Sequence, residues 1–308
     1  MHIYFSTDFD AQSKQQDICD IKNQVNICHM RNTIQEIEGP RNYSFNPHHN
    51  HHVCEWIAAQ FVNYGYDVYE QGKYKNIVAL PSECNSPVIV VAAHYDSVPE
   101  TPGADDNGSA VAAMLECARI VATQLPVCFI AFNCEEDGLL GSYDFVENLS
   151  DFPQPIRGVH VLEMVGYCSN EPGSQKIPAG IPVKSIDTGN FIALVGDQNS
   201  KAQLKNTLQH IATYENHLPA IGVQANRLST KLLHILKRSD HFPFWQARIP
   251  ALMWTDTAEY RNPHYHKPSD TIETLNFEFM RNVTSALIAC LLEEKYMTCA
   301  GYLNLSIA

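Results

Sequence analysis

The sequence of 308 residues lacks the features of several large protein classes. It has no apolar run near the ~20 residues that a membrane-spanning helix needs. Its N-terminus has no basic region followed by an apolar stretch, so no secretory signal is visible and we expect a cytoplasmic location. A secreted protein whose signal had been removed would look the same. Internal repeats and low-complexity tracts are also absent, which excludes repeat architectures.

Positive charge is scarce in this chain. Lysine and arginine total 21 residues against 34 aspartates and glutamates, which gives a formal net charge of −13. Nucleic-acid binding needs a basic surface, and anionic membranes attract basic segments, so we expect neither nucleic acid nor membrane as a partner. The acidity favours solubility, and cations would balance part of it if the chain holds a metal site.

Cysteine occurs ten times, but never in the Cys-x-x-Cys spacing of thiolate zinc sites and thioredoxin-like motifs. We therefore expect neither of these sites. Reduced thiols are the default in a cytoplasmic protein, and the sequence leaves one or two disulfides open for an oxidising compartment.

Apolar strands alternate with helical patterns through the middle of the chain. Residues 87–93, 127–133 and 159–164 are apolar runs typical of strands buried on both faces, and helical patterns lie between them. This alternation predicts a mostly parallel sheet wrapped by helices. We expect an α/β fold, a three-layer αβα sandwich around a mixed, mostly parallel twisted sheet.

Nothing in the sequence marks a domain boundary, so we expect a single domain over residues 1–308. Residues 1–45 are polar at first and weakly helical from about Asp10 to Glu38, which predicts a helical N-terminal extension packed on that domain. Residues 167–190 are rich in Gly, Pro and Ser. This stretch is too long for a plain connector, and such loops are usually functional or disordered.

Histidines and carboxylates collect at the ends of the predicted strands, where open α/β sheets bind ligands. His94 and Asp96 end the first buried strand in the segment VVAAHYDSVPETPGADDNGS, and Glu135 and Glu136 follow the second. Glu163 lies within the third. Such groups are costly to bury unless a partner such as a metal ion compensates them.

Each of these groups also has a structural interpretation when it is taken alone. A lone histidine at a strand end is more often a hydrogen-bonded structural residue than a ligand, and adjacent acids such as Glu135-Glu136 commonly begin a solvated helix. A buried, unpaired glutamate such as Glu163 is rare. The coincidence of several such groups at successive strand ends favours a metal site.

A donor set of histidines and carboxylates without thiolates suits zinc, with cobalt or manganese as substitutes. Six candidate groups exceed the three protein ligands of a mononuclear catalytic zinc site. Two metal ions that share a bridging carboxylate, as in phosphatases and aminopeptidases, fit this number better. One glutamate then remains unligated and free to act as a base.

The chain resembles the co-catalytic zinc exopeptidases in five ordered segments, AAHYDSV, GADDNGSA, FNCEEDGLLGS, LEMVGY and YHKPSDT. That family includes bacterial leucyl aminopeptidases, glutamate carboxypeptidases and glutaminyl cyclases. The segments span about residues 90–271, nearly the whole catalytic domain. The resemblance implies a zinc-dependent exopeptidase, above all an aminopeptidase that acts on peptide or aminoacyl substrates.

The resemblance implies two zinc ions held by five ligands. His94 and Glu163 would bind one zinc ion, and Glu136 and His266 would bind the other. Asp106 would bridge both ions. In this family the peptide bond after the bridging aspartate tends to be cis.

The resemblance also implies roles for residues beside the metals. Glu135 would be the general base that takes a proton from the bridging water, and Tyr265 would donate a hydrogen bond to the oxyanion. Asp96 would orient the ring of His94. The chain departs from many members of the family in having Glu163 where they have Asp, and we expect the longer side chain to affect substrate preference more than catalysis.

Other polar groups stay outside the implied site. His264 is a rival to His266, but the segment YHKPSDT favours His266 as the ligand. The histidine-rich run 47–52 lacks carboxylate partners, so we interpret it as the polar start of a helix. Ser239-Asp240-His241 resembles a segment near the family's substrate pocket, and we expect it to line the pocket rather than to bind metal.

Three alternative functions remain open. A glutaminyl cyclase would use one zinc ion, but that branch tends to carry Trp at the position of Tyr265. A binding module that has lost its ligands is disfavoured by the complete set of site residues. Carboxypeptidases and dipeptidases of this family often carry an inserted domain, for which this sequence has little room.

Overall fold

The computed structural model describes residues 1–82, 86–122, 125–183 and 186–305, with side chains up to residue 294. These residues form nine strands and nine α-helices. The strands are β1 (His2–Phe5), β2 (Tyr66–Gln71), β3 (Asn76–Pro81), β4 (Val88–His94), β5 (Val127–Phe132), β6 (Ile156–Glu163), β7 (Ile192–Gly196), β8 (Ala220–Gln224) and β9 (Ala251–Thr255). The helices are α1 (Gln16–Lys22), α2 (Ile27–Ile37), α3 (Pro47–Asn63), α4 (Ala110–Val121), α5 (Leu140–Glu147), α6 (Lys201–Tyr214), α7 (Arg227–Leu232), α8 (His241–Gln246) and α9 (Phe277–Leu305). No helix in these ranges is both long and apolar enough to cross a bilayer.

The centre of the sheet is parallel. The strand order is β1-β8-β7-β9-β6-β4-β5-β3-β2, and the four adjacent strands β9, β6, β4 and β5 run parallel to one another. The pairings of β1, β2 and β3, and that of β7 with β9, are antiparallel. Every residue of β4, the run VIVVAAH, is buried, as expected for a central strand covered on both faces. The predicted mixed sheet is therefore confirmed.

Helices cover both faces of the sheet. Successive side chains of a strand point to opposite faces, so each central strand packs against the helices on both sides. Val91 and Ala93 of β4 pack in a large apolar cluster with residues of α1, α2, α3, α4, α6 and α9. Val90 and Ala92 pack in a second cluster with residues of α5 and α8. The predicted three-layer αβα arrangement is thus confirmed.

The N-terminal segment contains a strand in addition to the helices that the sequence predicts. β1 forms an antiparallel edge of the sheet beside β8, with Phe5 opposite Ile221. A four-residue strand in a polar stretch is too short for its alternation to be recognised. The helical pattern predicted from Asp10 to Glu38 divides into α1 and α2, and the side chain of Asn26 caps the start of α2.

The sequence does not predict α7 or α8, which have six residues each. The sequence of α8, HFPFWQ, contains a proline and three aromatic residues and has little intrinsic preference for helix. Packing stabilises it instead, because Phe244 is fully buried and its ring contacts those of Phe132 and Phe145. α8 follows directly after Ser239 and Asp240, so this packing also positions those two residues.

Replacement of Phe244 by alanine should lower the free energy of unfolding by about 3–5 kcal/mol, because a buried aromatic ring is lost and a cavity remains. Urea denaturation followed by circular dichroism measures this change. Phe45→Ala is the matched control, since Phe45 is 72% exposed. Its loss should change the free energy by less than about 0.5 kcal/mol. Equal effects of the two variants would contradict the placement of Phe244 in the core.

Candidate metal centre

The central parallel strands bring four of the predicted site residues to one edge of the sheet. β4 ends at His94 and β6 ends at Glu163, and the two strands are paired in parallel. β5 lies on the other side of β4 and leads, after two further residues, to Glu135 and Glu136. Strand pairing alone therefore places these four side chains near one another.

Asp106 lies between two groups of these side chains, and one of its carboxylate oxygens faces each group. Its Oδ1 is 3.5 Å from Nε2 of His94, and the same nitrogen is 3.6 Å from Oε1 of Glu163. Its Oδ2 is 3.1 Å from Nε2 of His266, which lies 3.3 Å from Oε2 of Glu136. The ligand atoms of each group of three lie within 4.8 Å of one another. Asp106 thus occupies a bridging position.

Two buried atoms in this cluster have no hydrogen-bond partner in the described part of the chain. They are Nε2 of His94 and Oε1 of Glu136. Because buried polar atoms are almost always paired, both are expected to bind a group that is not part of the chain. The donors are imidazole nitrogens and carboxylate oxygens, and thiolates are missing from both groups. These residues fit two zinc ions that share Asp106.

Without cations, burial and neighbouring negative charges favour the protonated forms of Glu135 and Glu136. Burial raises the pKa of the Glu135 carboxyl well above its ordinary value. Burial and the charge of Asp106 raise the pKa of Glu136 to about 7. For His266, burial opposes ionisation, but hydrogen bonds with Asp106 and Glu136 raise its pKa to about 10. Bound cations would reverse this pattern, because metal ions displace protons from their ligands.

Asp96 positions both glutamates as well as the histidine. Its Oδ1 is 3.3 Å from Nδ1 of His94, a position suited to orienting the ring. The same carboxylate accepts hydrogen bonds from the backbone nitrogens of Glu135, at 3.1 Å, and Glu136, at 3.2 Å. One buried side chain therefore fixes the histidine of β4 relative to the acids that follow β5.

Ser239 fixes the carboxylate of Glu163. Its hydroxyl donates to Oε2 of Glu163 at 2.7 Å, while Oε1 faces Nε2 of His94. One oxygen of Glu163 is thus directed at the metal position and the other is held by the protein. The segment 239–241, which the sequence predicts to line the pocket, therefore contacts a predicted metal ligand through its first residue.

The backbone around the centre adopts unusual conformations. Cys134, Met164 and His266 have φ angles of 59°, 51° and 56°, in the left-handed region. Such angles cost of order 1–3 kcal/mol for residues other than glycine and cluster at functional sites. They turn the chain sharply next to Glu135 and Glu163 and at His266 itself. The peptide bond between Asp106 and Asn107 is cis, as the resemblance implies.

Sequence reasoning missed two buried residues that hold the segment of Asp106. The carboxylate of Asp270 accepts hydrogen bonds from the backbone nitrogens of Asp105, at 2.9 Å, and Asp106, at 3.1 Å. Arg41 is fully buried. Its guanidinium donates to the backbone carbonyls of Gly39, Tyr95, Pro102 and Gly103. Asp270 belongs to the segment YHKPSDT and had a signal there, whereas Arg41 had none beyond the Gly-Pro pair before it.

The other polar groups considered in the sequence lie outside the two ligand groups. Nδ1 of His264 is 3.0 Å from Oγ of Ser269. The histidine-rich run 47–52 forms the first turns of α3, and no group of potential metal ligands among the described residues includes it. Asp240 and His241 are fully buried at the start of α8.

Tyr265 lies beside the second group of ligands. Its ring stacks on that of His266 with the ring centroids 3.8 Å apart. Its hydroxyl accepts a hydrogen bond from Nη2 of Arg238 at 2.9 Å. Burial raises the pKa of the phenol, so the phenol keeps its proton at neutral pH. Tyr265 is therefore able to donate a hydrogen bond.

An apolar cavity opens beside Glu163 and Tyr265. Its floor is formed by β7, β8 and β9, and residues from 175–183 together with residue 186 contribute one wall. The floor side chains include Ala193, Val195, Ile221, Val223 and Met253. The loop that the sequence predicts to be functional or disordered thus encloses the cavity; its residues 184 and 185 lie outside the described residues.

Comparisons with known proteins point to one family of enzymes. The family model described as Peptidase family M28 matches residues 76–291. The uncharacterized protein YfbL of Escherichia coli (strain K12) is 36% identical over 270 residues, which cover 79% of this chain and 80% of that protein. Aminopeptidase YwaD of Bacillus subtilis (strain 168) is 34% identical over 235 residues, which cover 72% of this chain and 46% of that protein.

A solved structure has the same fold. The aminopeptidase LapA of Legionella pneumophila superposes with a TM-score of 0.72 at 22% identity, over 92% of this chain and 77% of that one. The range matched by the family model contains both groups of ligands around Asp106. As its resemblance to the zinc exopeptidases predicted, the chain belongs to Peptidase family M28.

Proposed function

We propose that this chain is a zinc aminopeptidase that removes N-terminal residues with large apolar side chains from peptides. Membership of Peptidase family M28 and similarity to an aminopeptidase confirm the predicted class of enzyme. The finer proposal rests on one observation of geometry. Two groups of three ligands share Asp106, and an apolar cavity opens next to one of them.

Two zinc ions would be held, one by His94, Asp106 and Glu163 and the other by Asp106, Glu136 and His266. When bound, zinc polarises the scissile carbonyl and lowers the pKa of a water molecule to near neutrality. Charge supports two ions rather than one. The three carboxylate ligands carry three negative charges in a largely buried site, and a single divalent cation does not balance them.

Glu135 is placed to act as the general base. It belongs to neither group of ligands, yet its Oε2 is 3.9 Å from Nε2 of His94 and its backbone is fixed by Asp96. It would take a proton from the attacking water and deliver it to the leaving amine. Tyr265 would donate a hydrogen bond to the carbonyl oxygen as that oxygen gains negative charge.

The cavity would receive the side chain of the first substrate residue. It opens beside Glu163, near which the free α-amine would lie, and its floor is aliphatic. Burial of each CH₂ group favours binding by about 0.8 kcal/mol. Leucine has three more carbon atoms than alanine, so a cavity of this kind favours leucine by about 2 kcal/mol.

Glu135→Gln should bind zinc with the wild-type stoichiometry but lose most of its turnover, because an amide does not accept a proton. We expect kcat for leucine p-nitroanilide to fall about 10²–10⁴-fold. Steady-state kinetics and elemental analysis of the same preparation measure the two properties. Glu147→Gln, which changes an exposed carboxylate in α5, is the control. Near-normal turnover in Glu135→Gln would rule out Glu135 as the base.

The protein should bind two zinc ions per chain, measured by native mass spectrometry. Removal of zinc with a chelator should abolish hydrolysis and lower the melting temperature, because the buried carboxylates then lose the cations that balance them. Addition of zinc should restore both properties. One zinc ion per chain, together with cyclisation of an N-terminal glutamine peptide, would instead support the glutaminyl cyclase alternative.

Ala193→Leu should change the preference for the first substrate residue. Ala193 is 6% exposed on the floor of the cavity, so a larger side chain would fill the space that a substrate leucine needs. We expect kcat/KM for leucine p-nitroanilide to fall about 10–100-fold, and that for alanine p-nitroanilide to change less than about 3-fold. Equal losses on both substrates would place the first side chain elsewhere.

A further inference from the structure

One guanidinium connects the rim of the cavity to the proposed oxyanion donor. Arg238 lines the cavity, and its two terminal nitrogens have different partners. Nη1 forms an ion pair with Glu259, and Nη2 donates to the hydroxyl of Tyr265 at 2.9 Å. The proposed hydrolysis gives Arg238 no part, although Arg238 contacts Tyr265, which would touch the reacting carbonyl.

The hydrogen bond from Arg238 determines how the phenol of Tyr265 is used. A phenol oxygen carries one proton and also accepts hydrogen bonds. Because Arg238 donates to this oxygen, the phenol proton takes no part in that contact and is free for another acceptor. A cationic donor such as Arg238 also polarises the O–H bond of the phenol, which strengthens the hydrogen bond that the phenol donates. Stacking on His266 fixes the ring itself.

Glu259 determines the orientation of the guanidinium. It lies in a short turn, Ala258–Tyr260, that follows β9. Thr257 and Ala258 have φ angles of 86° and 47°, so the chain turns sharply there and brings Glu259 to the rim. The side chains of Arg238 and Glu259 are 34% and 35% exposed, so the ion pair lies at the mouth of the cavity.

We propose that Arg238 is a positioning residue for Tyr265, which holds the phenol oxygen so that the phenol proton points to the substrate carbonyl oxygen as this oxygen becomes negative. The inference rests on the proposed function, since it gives Arg238 a part in the same reaction. This role differs from two others that Arg238 could have, and kinetics distinguish the three. An exposed ion pair with a structural role alone contributes little and leaves kcat unchanged, whereas a direct contact with the substrate would change KM.

A double-mutant cycle on the zinc-loaded enzyme tests the proposal. Tyr265→Phe should lower kcat for leucine p-nitroanilide about 10²-fold, as for loss of one oxyanion donor. Arg238→Met should lower kcat about 10-fold with KM changed less than about 3-fold, but less than about 2-fold in the Tyr265→Phe background. Arg238→Lys, which keeps one cationic donor, should recover part of the loss.

Lys237→Met is the matched control, because it removes a neighbouring positive charge that lies over the ring of Phe242. Its kcat should equal that of the wild type. Equal losses from Arg238→Met in the two backgrounds, or a loss confined to KM, would overturn the proposal. So would a loss of similar size in Lys237→Met.

A binding measurement makes the test independent of turnover. L-leucine phosphonic acid has a free α-amine and a tetrahedral anion, and calorimetry measures its affinity for the zinc-loaded variants. Its affinity should show the same coupling between Arg238 and Tyr265, whereas the affinity for L-leucinol, which has no bond that the enzyme cleaves and no tetrahedral anion, should be unaffected. If the wild type cleaves no substrate but the coupling is present, the proposed function fails, and the positioning of Tyr265 by Arg238 is supported for a bound anion only. If hydrolysis occurs and the coupling is absent in both measurements, the inference fails alone.

Discussion

Repulsion among acidic side chains at the carboxyl edge of the sheet is the constraint on which the rest of the structure depends. Asp96, Asp106, Glu135, Glu136 and Glu163 converge there, out of reach of most solvent. Groups of the chain itself offset part of this repulsion. Backbone N–H groups donate hydrogen bonds to Asp96, and the buried guanidinium of Arg41 lies near the acids. The proposed zinc ions would balance the remainder, and their binding energy would then be coupled to the stability of the fold.

The sequence predicts which side chains meet at this edge of the sheet because their signal is local. His94 and Glu163 each end a strand, and the parallel pairing of β4 with β5 and β6 follows from the alternation of strands and helices. The sequence does not predict the hydrogen bonds of Arg41 and Ser239, because these bonds connect distant segments of the chain. Arg41 and Gly103 are 62 residues apart, and Ser239 and Glu163 are 76 residues apart. Composition and periodicity carry no information about such pairs. The same reason explains β1, whose pairing with β8 joins the two ends of a long stretch of chain.

Ser239 holds the side chain of Glu163, the glutamate that stands where many members of the family have aspartate. A glutamate has more freedom than an aspartate and would be free to bind a metal through either oxygen or both. The serine hydroxyl restricts that freedom by donating a hydrogen bond to one of the two oxygens. The neighbouring residue in the sequence, Arg238, contacts Tyr265. Two adjacent residues that precede α8 thus contact Glu163, in the first ligand group, and Tyr265, whose ring stacks on His266 of the second.

The edge strand β1 supports the cavity, so changes at the N-terminus affect the shape of the cavity. Ile3 and Phe5 pack against Phe191 and Ile221, and the latter two residues also line the cavity. Edge strands are the least protected part of a sheet. A peptide tag or a proteolytic cut at residues 2–5 would therefore disturb this side of the cavity while leaving every proposed metal ligand in place. Substrate profiles of differently tagged preparations would differ even where their zinc content is the same.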